Sequence, residues 1–271
     1  MEFETLKIRQ EGAVLFADIA APPMNLLGFE LVRDLVSLFQ AVEPDDAYSV
    51  LVFTSLDADY FISHADVTGL GRNGELAAKL TGEPSVGMLF RHLSASRLIS
   101  IAQVEGRARG AGSEFVLACD MSFAACESAI FGQPENALGL FAGAGGVQHL
   151  TRLMGRARAL EVMLSAEDYD AELAERYGWI NRALPASTIG DFVTSIARRI
   201  AGFPAPARAV LKDRVNAIAL ASAADFRRDA ELFGECVRTP ETQTRVREAV
   251  TRGLQTRDGE MALGVMVADL P

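Results

Sequence analysis

Cysteine is scarce, and the three present, Cys119, Cys126 and Cys236, are an odd number without CxxC spacing. That pattern argues against a disulfide framework or a zinc site and for reduced thiols. No apolar run approaches the roughly 20 residues that a membrane-spanning helix needs. The opening MEFETLKIRQEG alternates apolar and polar side chains and lacks a basic region followed by an apolar one, so it reads as a strand rather than a leader. With reduced thiols, this points to the cytoplasm. Positive charge is also in deficit: 26 Lys and Arg stand against 36 Asp and Glu, a net charge of −10. Such a surface opposes nucleic acid and anionic membranes, so an anionic substrate must meet a local basic patch. There is no G-x-S-x-G elbow. Ser63, His64 and Asp66 lie too close together in one loop to form a nucleophilic relay.

What the chain does have is apolar content, 49% of 271 residues, enough for a large core. Strand-like runs alternate with helical patterns. "AVLFADIA" precedes Leu31, Leu35, Leu38 and Val42 at helical spacing; "SVLVFTS", a helical stretch around 86–98 and "ISIAQVEG" follow. This alternation is α/β organisation. After "MSFAA", "AIFG" and "GWINRALP" the strand signals fade, and the breaker "FPAPA" introduces helices. The spacing predicts a core over 1–204 and a helical region over 205–271.

Two carboxylates stand beside glycine-containing turns. Glu114 follows Gly110 and Gly112 at the start of a helix expected near Ser113, and Glu135 follows Pro134 ahead of the glycine-rich stretch 143–146. Each alone has an ordinary explanation, since acids favour the positive end of a helix and Pro-Glu often opens a helical turn. Together, flanked by apolar residues, they suit proton transfer at a carbon next to a carbonyl.

The stretch "EGRARGAGSEFVLACDMSFAACESAIFGQPENALGLFAGAGGVQHL" resembles the signature NGxAxGGGxELALACD…FGxPEvxLGxxPGxGGxQrL of the crotonase, or enoyl-CoA hydratase/isomerase, superfamily. Weaker similarity extends over about residues 10 to 215. The resemblance implies an α/β spiral of strand–strand–helix units, with a C-terminal helical region used to build a homotrimer or dimer of trimers. It implies an acyl-CoA thioester substrate, with coenzyme A entering as part of that substrate and no further cofactor or metal. The backbone N–H groups of Ala65 and Ala111 would hold the thioester oxygen. Glu114 and Glu135 align with the two acids that handle water in hydratases. Isomerases of the family generally manage with one acid, and a silent acyl-CoA-binding scaffold is the reading from another class.

The sequence departs from the signature at several positions. Where the first oxyanion loop usually reads AGAD, this chain has Ser63-His64-Ala65-Asp66. His64 is expected either to line the thioester pocket or to be capped by local backbone groups. Ala142 replaces a proline and is expected to loosen the wall near the acyl chain. Asp66, Gly110 and Gly143 are expected beside the substrate. Arg107, Arg109 and Lys212 are candidates for the CoA phosphates, although solvated helix faces explain them equally well. His149 and Trp179 read as structural.

Overall fold

The computed structural model describes residues 2–270. Ten strands form two sheets: β1 (Leu6–Glu11), β2 (Val14–Ile19), β3 (Val50–Ser55), β4 (Tyr60–Ile62), β5 (Ile99–Val104), β6 (Arg107–Arg109), β7 (Met121–Ala125), β8 (Ile130–Gly132), β9 (Asp168–Asp170) and β10 (Arg182–Leu184). One sheet runs β1-β2-β3-β5-β7-β10 and the other β4-β6-β8-β9. β1 and β2 pair antiparallel, as do β8 and β9; the other pairs are parallel.

The chain visits the sheets in turn. β3 and β4 are followed by the helices Leu70–Thr81 and Val86–Ala95; β5 and β6 by the helix Ala111–Ala118; β7 and β8 by a 3-10 turn, Pro134–Leu138, and the helix Gly146–Ser165. Each circuit lays one strand in each sheet and then a helix, which is the expected strand–strand–helix spiral. β2 and β3 are buried along most of their length, so they read as continuous apolar runs, whereas the edge strand β1 alternates. β6 and β9, three residues each and charged at their ends, carry no such signal in the sequence.

The core converges on the helix Ala111–Ala118, all eight residues of which are buried. Phe115 stacks edge-on against Phe53, with centroids 4.8 Å apart, and against Phe90 at 5.6 Å. Such aromatic pairs add about 0.5–1.5 kcal/mol each beyond area burial. They fix the helix that bears Glu114.

Beyond Pro204 the chain is helical, with segments Ala205–Ala219, Ala223–Val237, Pro240–Thr251, Arg257–Met261 and Leu263–Ala268. Phe226 is fully buried and packs with Met88 and Ala221. Among the described residues no helix is long and apolar enough to cross a membrane.

Lys212 pins the first of these helices to the sheets. Its Nζ donates to Leu98 O and to Asp120 Oδ2, both at 2.7 Å, and the same Asp120 oxygen accepts from Ser100 N–H at 2.7 Å. Removing one partner of a buried ion pair leaves the other charge uncompensated, which costs about 3–5 kcal/mol. Lys212→Met should therefore lower unfolding free energy by about 3 kcal/mol in urea titration; a change below half that size would mean that solvent screens the pair.

Candidate active site

β4 and β6 run side by side, with Ile62 opposite Ala108, and their continuations leave the sheet as adjacent loops. Arg109 N–H donates to Ser63 O at 3.2 Å across them. In the first loop Leu27 N–H donates to His64 O at 2.8 Å, and Asp66 N–H to Leu27 O at 3.1 Å. In the second, Gly110 has φ +49° and ψ −126°, which a side-chain-bearing residue adopts only with strain. A Cβ there would also lie 2.8 Å from Glu135 Oε1 and 3.4 Å from His64 Cβ. Gly112 is required by space: its Cβ would fall 1.9 Å from Ile62 O. The helix consequently begins at Ala111, two residues earlier than expected. Among the described residues the N–H groups of Ala65 and Ala111 have no hydrogen-bond partner; Ala111 is the first helical residue, where no acceptor within the helix exists.

Glu114 projects from the next positions of that helix and is 3% exposed. Its Oε1 accepts from Ala144 N–H and Gly146 N–H, each at 2.8 Å. These donors belong to the glycine-rich loop opening the helix Gly146–Ser165, whose positive end faces the carboxylate. Burial pushes the Glu114 carboxyl up to about 7; the two N–H bonds oppose the rise, and the nearby Asp229 charge adds to it.

Glu135 lies in the 3-10 turn that Pro134 opens. With its amide oriented to satisfy both neighbours, the buried Gln133 donates to Glu135 Oε2 at 3.0 Å and accepts from Ser113 Oγ at 3.2 Å. Ser113 Oγ in turn accepts from Trp179 Nε1 at 3.1 Å. Burial, then the charge of Glu114, pushes the Glu135 carboxyl well above the usual range. Two such acids titrate as a pair. Glu114, with two backbone donors on one oxygen, is the one that holds negative charge more readily.

Both carboxylates line a cavity of about 190 Å³ together with His64, Ala65, Gly110, Ala111 and Gly143. Leu70, Leu138, Leu140, Phe233, Leu254 and Leu263 make much of the remaining wall apolar. Neither His64 nor Ala142 closes it. Ala142 is buried behind the glycine loop and does not border the cavity, so the expected loosening of the acyl wall is not seen.

Other expected residues lie elsewhere. Lys212 serves the ion pair with Asp120 and does not border the cavity. Arg109 is 1% exposed, held by Asp168 through bonds of 2.7 and 2.6 Å. Arg107 lies over the Tyr60 ring at 5.9 Å. Asp66 also falls outside the cavity lining: its Oδ1 accepts from Thr68 N–H, Thr68 Oγ1 and Gln255 Nε2 at 2.9, 2.7 and 3.0 Å. It closes the turn. His149 packs on Phe226, and burial pushes its imidazole down to about 4.

The sequence reading missed Gln133 and Glu260. Gln133 stands inside the matched motif, two residues before Glu135, and could have been weighed. Glu260 meets His64 across 196 residues, with His64 Nε2 2.7 Å from Glu260 Oε1, and no local pattern announces it. His64 Nδ1 lies 2.7 Å from Ala65 O, the local backbone cap that was one of its two expected roles. Burial alone would raise Glu260; hydrogen bonds from His64 and Gln255 N–H outweigh it and hold the carboxyl below its usual range.

The raised Glu114 carboxyl makes stability depend on pH. Its folded-state pKa of about 7 exceeds the ordinary 4.5, so between these values the folded protein binds more protons than the unfolded chain and stability falls as pH rises. The loss from this group is on the order of 3 kcal/mol. Glu114→Gln should lose less stability by that order between pH 4.5 and 7, read by urea unfolding; parallel curves for both proteins would refute the elevated pKa.

The sequence matches the Enoyl-CoA hydratase/isomerase family over residues 9–258. A Rhizobium meliloti protein named probable enoyl-CoA hydratase is 33% identical over 239 residues, spanning 86% of this chain and 90% of that relative. A short-chain-enoyl-CoA hydratase from Clostridium acetobutylicum is 27% identical over 95% of this chain and 97% of its own length. Among solved structures, one from Streptomyces avermitilis provisionally described as an enoyl-CoA hydratase superposes with a TM-score of 0.97 at 49% identity, covering 100% of this chain and 99% of that one. With the two-sheet spiral and both signature loops in place, the chain belongs to the enoyl-CoA hydratase/isomerase family of the crotonase superfamily.

Proposed function

We propose that the protein is an enoyl-CoA hydratase, adding water across the 2,3 double bond of an acyl-CoA thioester. The observation that carries this reading is the pair of carboxylates in one cavity, one of them held by two backbone N–H groups. The thioester oxygen accepts from the N–H groups of Ala65 and Ala111. Water sits between the acids. Glu114, as carboxylate, takes a proton from the water as its oxygen bonds to Cβ, and the electron pair of the double bond moves onto the thioester as an enolate. Glu135, as neutral acid, then gives its proton to Cα and the enolate collapses. Environments that push two acids apart in protonation are how one site supplies base and acid at neutral pH. Preorganised N–H donors commonly contribute about 3–4 kcal/mol each at such an oxyanion.

The chemistry calls for no cofactor besides the coenzyme A portion of the substrate, and we place it in the cytoplasm. Relatives named for hydration of enoyl-CoA substrates support the reading. Glu114→Gln and Glu135→Gln should each lower hydration of crotonyl-CoA by about a hundredfold or more, since general acid/base help commonly contributes 10²–10⁴. If either keeps wild-type turnover on the best of a panel of enoyl thioesters, the two-acid mechanism fails. A double-bond isomerase would instead tolerate Glu114→Gln.

We further propose that the protein assembles as a homotrimer or a dimer of trimers through the helices after residue 205. Val210, Leu211, Val215 and Ile218 support this, because all four are exposed apolar side chains on the helix Ala205–Ala219, and clustered exposed apolar groups mark contact surfaces. Light scattering at micromolar concentration should give three or six times the chain mass; a stable monomer would defeat the idea.

A further inference from the structure

Glu260 is fully buried in the helix Arg257–Met261, and none of the steps above uses it. Its surroundings connect it to both loops that carry the free N–H groups. Oε1 meets His64 Nε2 at 2.7 Å and accepts from Gln255 N–H at 2.9 Å. Gln255 itself accepts from Val67 N–H at 2.9 Å and donates to Asp66 Oδ1 at 3.0 Å. The backbone carbonyl of Glu260 accepts from Arg109 Nη1 at 2.8 Å. Four of these hydrogen bonds join residues 255–260 to the neighbours of Ala65 on one side and, through Arg109, to the strand that ends just before Gly110 and Ala111 on the other.

The peptide between His64 and Ala65 is fixed from both ends. Leu27 N–H holds its carbonyl, so in a planar trans unit the Ala65 N–H must point the opposite way. The His64 ring holds the next carbonyl, Ala65 O, at 2.7 Å. That ring is steered by Glu260 alone at its other nitrogen. Both ring nitrogens therefore face oxygen, and rotating the ring would break both contacts at once.

We propose that Glu260 and His64 are positioning residues for the thioester-oxygen donors: together they hold the Ala65 N–H in line and keep its loop at a fixed distance from the loop of Ala111. The inference rests on the hydratase reading for the identity of the oxygen these donors meet. A donor displaced by about 1 Å can cost on the order of a hundredfold in rate, and the cost falls on the transition state because the oxygen gains charge there.

The test uses Glu260→Leu, which removes the pair, Glu260→Gln, which keeps a hydrogen-bonding side chain of the same shape, and His64→Leu, alone and combined with Glu260→Leu. Crotonyl-CoA turnover gives kcat and KM for each, at a temperature where thermal melts show the variant folded. The red shift of a bound chromophoric aryl-enoyl-CoA reports polarisation of the thioester directly. We expect Glu260→Leu and His64→Leu each to lower kcat about 10- to 100-fold with KM within about threefold, and to shrink the red shift. Glu260→Gln should restore most of both, and the double variant should be no worse than the poorer single one, because one device is lost either way. If Glu260→Leu fails to fold, His64→Leu decides by the same measurements. Wild-type kcat and red shift in the folded variants, or losses that multiply in the double variant, would overturn the proposal. A wild-type protein that red-shifts the chromophore but hydrates no enoyl thioester would sink the hydratase reading instead, and the red shift alone would then judge the pair.

Discussion

Two backbone N–H groups, from Ala144 and Gly146, meet one carboxylate oxygen of Glu114 inside the protein, and much of the architecture can be understood as what makes that meeting possible. An isolated buried carboxylate would simply take up a proton. Here the glycine loop brings a helix N-terminus to it, the Phe115 cluster fixes the helix it projects from, and the result is an acid poised near neutrality rather than driven far above it. A side chain on Gly146 would crowd Ala142 Cβ at 2.6 Å and Glu114 Oε1 at 3.1 Å. The loop must be bare to approach.

The second acid is supported differently. Glu135 has only its own backbone N–H at the start of a 3-10 turn rather than a facing helix end; it is reached by Gln133, which is set by Ser113, which is set by Trp179. A chain of polar groups within an apolar core orients without adding a full charge, and each member is satisfied by the next. Trp179 is thus both core, against Phe131 and Tyr169, and the remote end of the site.

The long strands, the helix Phe29–Val42 and the two acids were legible in the sequence because their signals are local: apolar runs, 3.6-residue periodicity, glycine turns with an acid beside them. β6 and β9 were not, since three residues of backbone pairing leave no periodicity to read. The partners of the basic residues were not legible for a related reason. Lys212 and Arg109 look like phosphate ligands when only their neighbours in sequence are visible, yet each is committed to an acid, Asp120 or Asp168, dozens of residues away. Pairing across the fold is a property of the topology. His64 stood out as an oddity, but its partner Glu260 lies in a stretch that matches the signature poorly.

The wall of the cavity is assembled from distant parts of the chain. His64, Glu114 and Glu135 come from the first half, whereas Phe233, Leu254 and Leu263 come from the helical segments near the other end. During synthesis at about 5–20 residues per second, the spiral emerges several seconds before the helices that complete the cavity. For that interval Leu138 and Leu140 lack the cover of Leu254, Leu263 and Val267, and the cavity stays open on that side. The late helices are in effect the protein's own closing step on the ribosome, and a chain that stalls before residue 254 presents an open cleft to whatever chaperone or protease reaches it first.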